Sequence, residues 1–397
     1  MAQVAFLQAQ SLVYPQIAPQ YVVLSDLYER KLWHQLTDKL EEIVRLPEYQ
    51  DETVLTNLYE GFISDFELKL NLLRLAHIMV AISSRYTERE KAFTFLEKSV
   101  KRIQDIKENS RIKESTRFKE PVLYIHMHIA LLKLQGGDVL GCKEMLEEGK
   151  PLLDSLVDVD PSVHASVHHV ASMFYKAKQD FAEFYKSGML YLAYISVESL
   201  DEVTRMALAV DLSLAALLGE DVYNFGELIA HPVVKSLEEP KSSYGWLHAL
   251  LVAFNKGDLD QYDALCTTHA AALNAQPALV QNERGLREKI TILCLMEIIF
   301  SLPSENRVIS LELIAEKTKL SLDGVEFLLM KTLSVHLIEG VIDQVDGTVA
   351  VSWVLPRVLG LQQISELRNR LDGWLGKVHT TLLTVDSETP ELVGTSV

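Results

Sequence analysis

Ile338-Glu339-Gly340-Val341-Ile342-Asp343-Gln344-Val345-Asp346-Gly347-Thr348-Val349-Ala350-Val351-Ser352-Trp353-Val354 is where the spacing turns from helical to extended. Ile338–Asp343 and Thr348–Val354 read as two strands around Asp346-Gly347, a hairpin turn signal. In the second strand Val349, Val351 and Trp353 alternate with Ala350, Ser352 and Val354. Upstream, Ser321 caps a helix running to about Val335, with Asp323 in its first turn. Ser310 caps another through Thr318, with Glu312 in its first turn. A hydroxyl accepts from the free N–H groups of a helix start, and an acid there meets the positive end of the dipole. Arg307-Val308-Ile309 is a short extended stretch, preceded by an apolar helix Arg287–Ser301 that Pro303 ends. The order helix, short strand, helix, helix, hairpin is that of a winged helix.

Before this module the chain reads as helix after helix. Leu27, Leu32, Leu36, Leu40, Ile43 and Val44 recur at helical spacing in Ser25–Leu46, and Pro47 ends the run. Leu68–Tyr86 is more apolar, and Ala92, Phe93, Leu96, Val100 and Ile103 form a further face. A helix from about Pro121 ends at Gly136-Gly137. Asp138, Asp180, Asp221 and Asp258 sit at helix junctions spaced 42, 41 and 37 residues apart, three of them just after a glycine. Gly stops one helix and Asp caps the next. A period near 40 is the mark of stacked helical hairpins, none of which buries its own apolar face. The fold class expected is mainly α: a right-handed stack of helical hairpin repeats, then the winged helix, then one long helix. The domains expected are 1–180, a repeat arm; 181–286, a helical part joined to the winged helix; 287–356, the winged helix; and 357–397.

In that last segment Ile364, Leu367, Leu371, Trp374 and Val378 follow spacings of 3, 4, 3 and 4 on an otherwise polar helix. This is a coiled-coil-like seam. Gly373 and Gly376 weaken the helix intrinsically, so it needs a partner surface. The tail after about Val385 reads as disordered.

The 397 residues carry 38 basic and 55 acidic side chains, a net charge of −17. Single cores stop growing at roughly 250–300 residues, so more than one domain is expected. The acid excess argues against a nucleic-acid binder, because affinity for phosphates rests on clustered Lys and Arg. The winged helix sharpens the point: residues 287–356 hold six bases against ten acids, and Ser321–Val335, which would enter a DNA groove, sets Asp323 and Glu326 against Lys331. Carboxylates facing phosphates repel them. Lys98–Lys119 is the exception, at net +5: it reads as a solvated helix face and loop, or as a contact for an acidic partner or nucleic acid, an acidic protein patch being the better functional reading.

Cys142, Cys266 and Cys294 lie far apart and show no pairing pattern, which fits a reducing compartment. Met1–Gln20 has a modest apolar stretch with no basic residue before it and reads as a poor secretory signal, and no run of about 18 apolar residues occurs. No phosphate-loop, dinucleotide or nucleophile-elbow motif occurs, nor the zinc-protease pattern. His126 and His128 point to different faces of a helix. His164 and His168, with His169 beside them, offer too few ligands for zinc and read as packing residues. No catalytic residue, cofactor or metal is expected.

Helical hairpins leading into an acidic winged helix and an apolar-seamed helix resemble the PCI-domain family, shared by the proteasome lid, the signalosome and a translation initiation complex. Ser25-Asp26-Leu27-Tyr28-Glu29-Arg30-Lys31-Leu32-Trp33-His34-Gln35-Leu36-Thr37, Lys256-Gly257-Asp258-Leu259, Arg287-Glu288-Lys289-Ile290 and Val341–Val349 are similar to blocks of a lid subunit of the proteasome regulatory particle. The resemblance implies a non-catalytic scaffold of the cytoplasm and nucleus that serves ubiquitin-dependent degradation. Its partners would be other lid subunits, with no nucleic acid and no membrane. In that family winged helices associate edge to edge and C-terminal helices gather into a bundle. Carried onto this chain, Val349, Val351 and Trp353 are a candidate edge, and Ile364, Leu367, Leu371, Trp374 and Val378 the bundle face. The alternative is a PCI scaffold of the signalosome or of the initiation complex.

Overall fold

A helix that is apolar on every side has to be buried on every side. Lys119–Gln135 is such a helix: Ile125 and Ile129 enter one core, with Phe62, Leu75, Met79, Leu96 and Ile103. Leu123, Met127 and Ala130 enter a second, with Cys142, Leu146, Val163, Val167 and Phe174. One shared helix thus joins neighbouring layers, as stacking of hairpins requires. The computed structural model describes residues 2–14, 18–45, 52–109, 118–238, 243–302 and 307–388. The chain divides into two compact units, Met1–Leu200 and Asp201–Val397.

In the first unit Asp138 accepts from the Gly141 N–H (2.9 Å) to start Val139–Asp154, and Asp180 accepts from the Glu183 N–H (3.3 Å) to start Phe181–Tyr194. The latter packs along Pro161–Lys178, whose cap, Asp160, the periodicity did not single out. The division therefore falls after Leu200 rather than after residue 180. A capped turn inside a hairpin carries the same local signature as a junction between domains.

The expected run Ser25–Leu46 is two helices, Ala18–Glu29 and Trp33–Arg45, broken at Lys31 (φ 57°). The break lets Tyr28 and Trp33 both meet Phe66, with centroids 5.5 and 5.7 Å away. Pro47, Pro303 and residues 110–117 of the basic segment lie outside the described residues.

In the second unit Asp258 caps Leu259–Thr268 through the Gln261 N–H. Gly257 before it has φ 64°, and a Cβ there would sit 2.6 Å from the Cys294 backbone, so only glycine closes this turn against the helix Glu283–Ser301. Asp221 is no cap: it lies in the loop after Glu202–Leu218. Glu283–Ser301 is the core helix, burying Leu286, Ile290, Ile292, Leu293, Leu295, Met296 and Ile299.

The winged helix follows its local signals. Strand β1 is Val308–Ser310, and helices Leu311–Thr318 and Leu322–Ser334 are capped by Ser310 and Ser321. Strands β2 (Ile338–Asp343) and β3 (Thr348–Val354) form the antiparallel hairpin, Gly347 taking φ 62° in its turn. The sheet order is β1-β3-β2. A terminal helix, Leu361–Glu388, passes beyond Val385, and residues 389–397 of the expected disordered tail lie outside the described residues.

Candidate assembly surfaces

The strand chosen as an edge is the centre of the sheet. β3 pairs with β2 along its length and with β1 over Thr348–Ala350, and the Val351 N–H donates to the Arg307 carbonyl (2.9 Å). Val349 and Val351 are buried, and of the three residues named Trp353 alone reaches the surface, at 38% exposure. The hairpin pattern identifies a strand but not its neighbours, and the short β1 claims β3's other side. The outer strands are the three-residue β1 and the longer β2, and Val341 of β2 is exposed.

The terminal helix holds the five residues of the apolar seam. Ile364, Leu367, Leu371, Trp374 and Val378 are all exposed, Trp374 at 66%. Leu375, Leu382, Leu383 and Val385 extend the apolar surface toward the C-terminal end. Before this helix, the half-buried Arg357 turns a largely covered side chain inward and donates to Glu297 (2.9 Å) and to the Asn255 carbonyl. Val358 packs on the backbone at Gly226. The root of the helix is thus fixed to the helical body, while Ile364, Leu367, Leu371, Trp374 and Val378 stay exposed along its length.

Four of the six basic side chains of residues 287–356 are paired within the chain. Lys319 pairs with Asp260 (2.5 Å) and Asp263 (3.5 Å), Arg287 with Asp263 (3.6 Å), and Lys331 with Glu288. Lys289 is buried, and its ammonium donates to the carbonyls of Ala216 (2.6 Å), Gly219 (2.6 Å) and Leu217 (3.3 Å), the last turn of Glu202–Leu218. Phe225 and Tyr223 present ring faces 5.2 and 5.6 Å away. Burial pulls the lysine's pKa down to about 7, against the opposing charge of Asp221. Spacing gave no sign of this lysine's role, because its acceptors lie some seventy residues upstream.

The histidines pack on tyrosines. His164 and His168 lie parallel to Tyr194, with centroids 4.7 and 5.8 Å away, and His169 lies beside Tyr191. Burial lowers the pKa of His126, His168 and His169. It pushes His128 down to about 4, with His169 and His77 adding to the effect. Among the described residues no group of three His, Cys, Asp or Glu side chains is placed to hold a metal.

One arrangement has no sequence signature. In the first unit the His77 Nε2 is 3.0 Å from the Ser162 hydroxyl and its Nδ1 is 3.6 Å from Glu41, beside a cavity of about 740 Å³. Burial pushes the Glu41 carboxyl up, but His77 and Arg74 outweigh it and hold it below its usual range. The set looks like a nucleophile relay, yet the Ser162 and Val163 N–H groups are both taken by Asp160. Those N–H groups therefore cannot stabilise an oxyanion beside the hydroxyl. The geometry ties Trp33–Arg45, Leu72–Ser83 and Pro161–Lys178 together.

Repeat helices, a buried core helix and a three-stranded winged helix define a PCI-domain protein: residues 266–353 match the PCI domain, and residues 20–251 match the PSD13 N-terminal repeats. The 26S proteasome non-ATPase regulatory subunit 13 homolog B of Arabidopsis thaliana is 54% identical over 393 residues, which cover 99% of this chain and 100% of the relative. The Dictyostelium discoideum 26S proteasome non-ATPase regulatory subunit 13 is 38% identical, covering 98% of each chain. The Saccharomyces cerevisiae 26S proteasome regulatory subunit RPN9 is 31% identical, covering 92% of this chain and 91% of the relative. The chain belongs to the family of 26S proteasome non-ATPase regulatory subunit 13.

Proposed function

We propose that this chain is a non-catalytic scaffold subunit of the proteasome regulatory particle lid, working in the cytoplasm and nucleus in support of ubiquitin-dependent degradation. It joins other lid subunits through two surfaces. The first is the winged helix at its open β2 edge, in place of Val349 and Val351, with Trp353 contributing from β3. The second is the stripe Ile364, Leu367, Leu371, Trp374 and Val378. The stripe carries the reading: a 28-residue helix leaves its whole apolar seam in water. Each such side chain gains about 1.5–3 kcal/mol on full burial, so a bundle of like helices is its natural partner.

The test is affinity purification of the tagged chain, full-length and ended after Gly360, with mass spectrometry of what accompanies each. The full chain should bring lid subunits in fixed stoichiometry, and the shortened chain should remain folded and purify without them. Normal assembly of the shortened chain would remove the bundle assignment. Recovery of signalosome or initiation-complex subunits with the full chain would replace the lid by one of those assemblies.

A further inference from the structure

The helix Leu322–Ser334 has two faces. Val325, Leu328, Leu329 and Thr332 are buried against the winged-helix core. On the opposite side Asp323, Phe327, Met330 and Ser334 follow at spacings of 4, 3 and 4, a ridge at helix-packing spacing. Phe327 is 63% exposed and Met330 55%. In a DNA-reading winged helix this outward face lies in the major groove. Here it is apolar at its centre and acidic at its border. Glu326 flanks Phe327 and is held by Gln344, which brings the hairpin turn, with Asp343 and Asp346, beside the same helix. Residues 321–347 hold five acids, and Lys331 is their single Lys or Arg. Lys331 is turned away onto Glu288 of the core helix.

We propose that the Phe327–Met330 face docks an amphipathic helix of a partner protein whose apolar stripe is bordered by lysine and arginine. This rests on the reading of the chain as an assembly subunit, but the surface is distinct from both the β2 edge and the terminal stripe. The apolar ridge supplies burial, and the acidic border selects a basic partner and repels an acidic one.

The test uses the full chain in cells, with a benzophenone amino acid replacing Phe327 in one version and Trp374 in another. After irradiation, cross-linked peptides are identified by mass spectrometry. Position 327 should capture one segment whose helical projection sets apolar residues beside Lys and Arg. The double change Asp323→Lys and Glu326→Lys should lower its yield by at least about tenfold with no change in circular dichroism. Capture at 374 without capture at 327 overturns this inference and leaves the assembly reading in place. Capture of an acidic segment or of nucleic acid at 327, or a yield indifferent to charge reversal, also overturns it. Silence at both positions overturns the assembly reading and this inference with it. Should the charge-reversed chain misfold, Met330→Ser in its place should cut the yield, and an unchanged yield overturns the proposal.

Discussion

Two helices of the second unit, Glu283–Ser301 and Leu361–Glu388, both carry apolar residues at helical spacing and meet opposite fates. The first is enclosed by its own chain, and even its lysine finds three carbonyls there. The second keeps its apolar residues in water from Ile364 to Val385. The difference lies in breadth. Glu283–Ser301 is apolar around most of its circumference, so one neighbour cannot satisfy it and it has to be central. Leu361–Glu388 is apolar along a stripe, which asks for a partner without saying from which chain.

The contrast can be broken at its strongest point first. Leu293→Ala empties fully buried volume and should cost about 2–5 kcal/mol in urea unfolding. A cost near zero would show that the core helix is not the centre of its unit.

Lys289→Met comes next. It strips a side-chain donor from three buried carbonyls and should cost about 1–3 kcal/mol. Its pH dependence has a definite sign. The folded pKa, about 7, lies below the ordinary lysine value of roughly 10.4, so the unfolded chain binds more protons between them. The lysine's contribution is fully present above the unfolded pKa and is lost as pH falls toward 7. Wild type should therefore gain on the Met variant as pH rises from 7 to 9. A constant difference would mean that the helix end and the two rings keep the ammonium charged.

The terminal helix should behave the other way. Ending the chain after Gly360, which retains Arg357 and Val358, should leave the melting temperature within a few degrees and abolish incorporation into the complex. A large drop would mean that the helix packs on its own chain. Leu371→Asp or Trp374→Asp should have the smallest effect on stability, within about 0.5 kcal/mol, while weakening assembly. Unchanged assembly by both variants would remove this face.

Local signals were legible because their physics is local. Ser310 and Ser321 cap their helices through hydrogen bonds three residues long, and Asp346-Gly347 turns a hairpin within its own loop. The stripe Ile364–Val378 was readable for the same reason. Strand order was not: β1 reaches β3 across some forty residues, and that pairing makes β3 the central strand and leaves β1 and β2 outermost. Asp221 matched the spacing of the caps yet lies in a loop beside Lys289, since a repeat period does not register a lysine arriving from another helix. Phe327 and Met330 were apolar letters in an apolar helix until Val325, Leu328 and Leu329 took the inner face.

The amino-acid sequence by itself determined the helical repeats, the winged helix, the acidic balance and the seam of the last helix, because periodicity, caps and charge are properties of neighbouring residues. Tertiary structure alone decided which strand is exposed, where the chain divides, how Lys289 is held and which side of Leu322–Ser334 faces water. Each of those depends on what packs opposite a residue, and that partner lies tens of residues away along the chain.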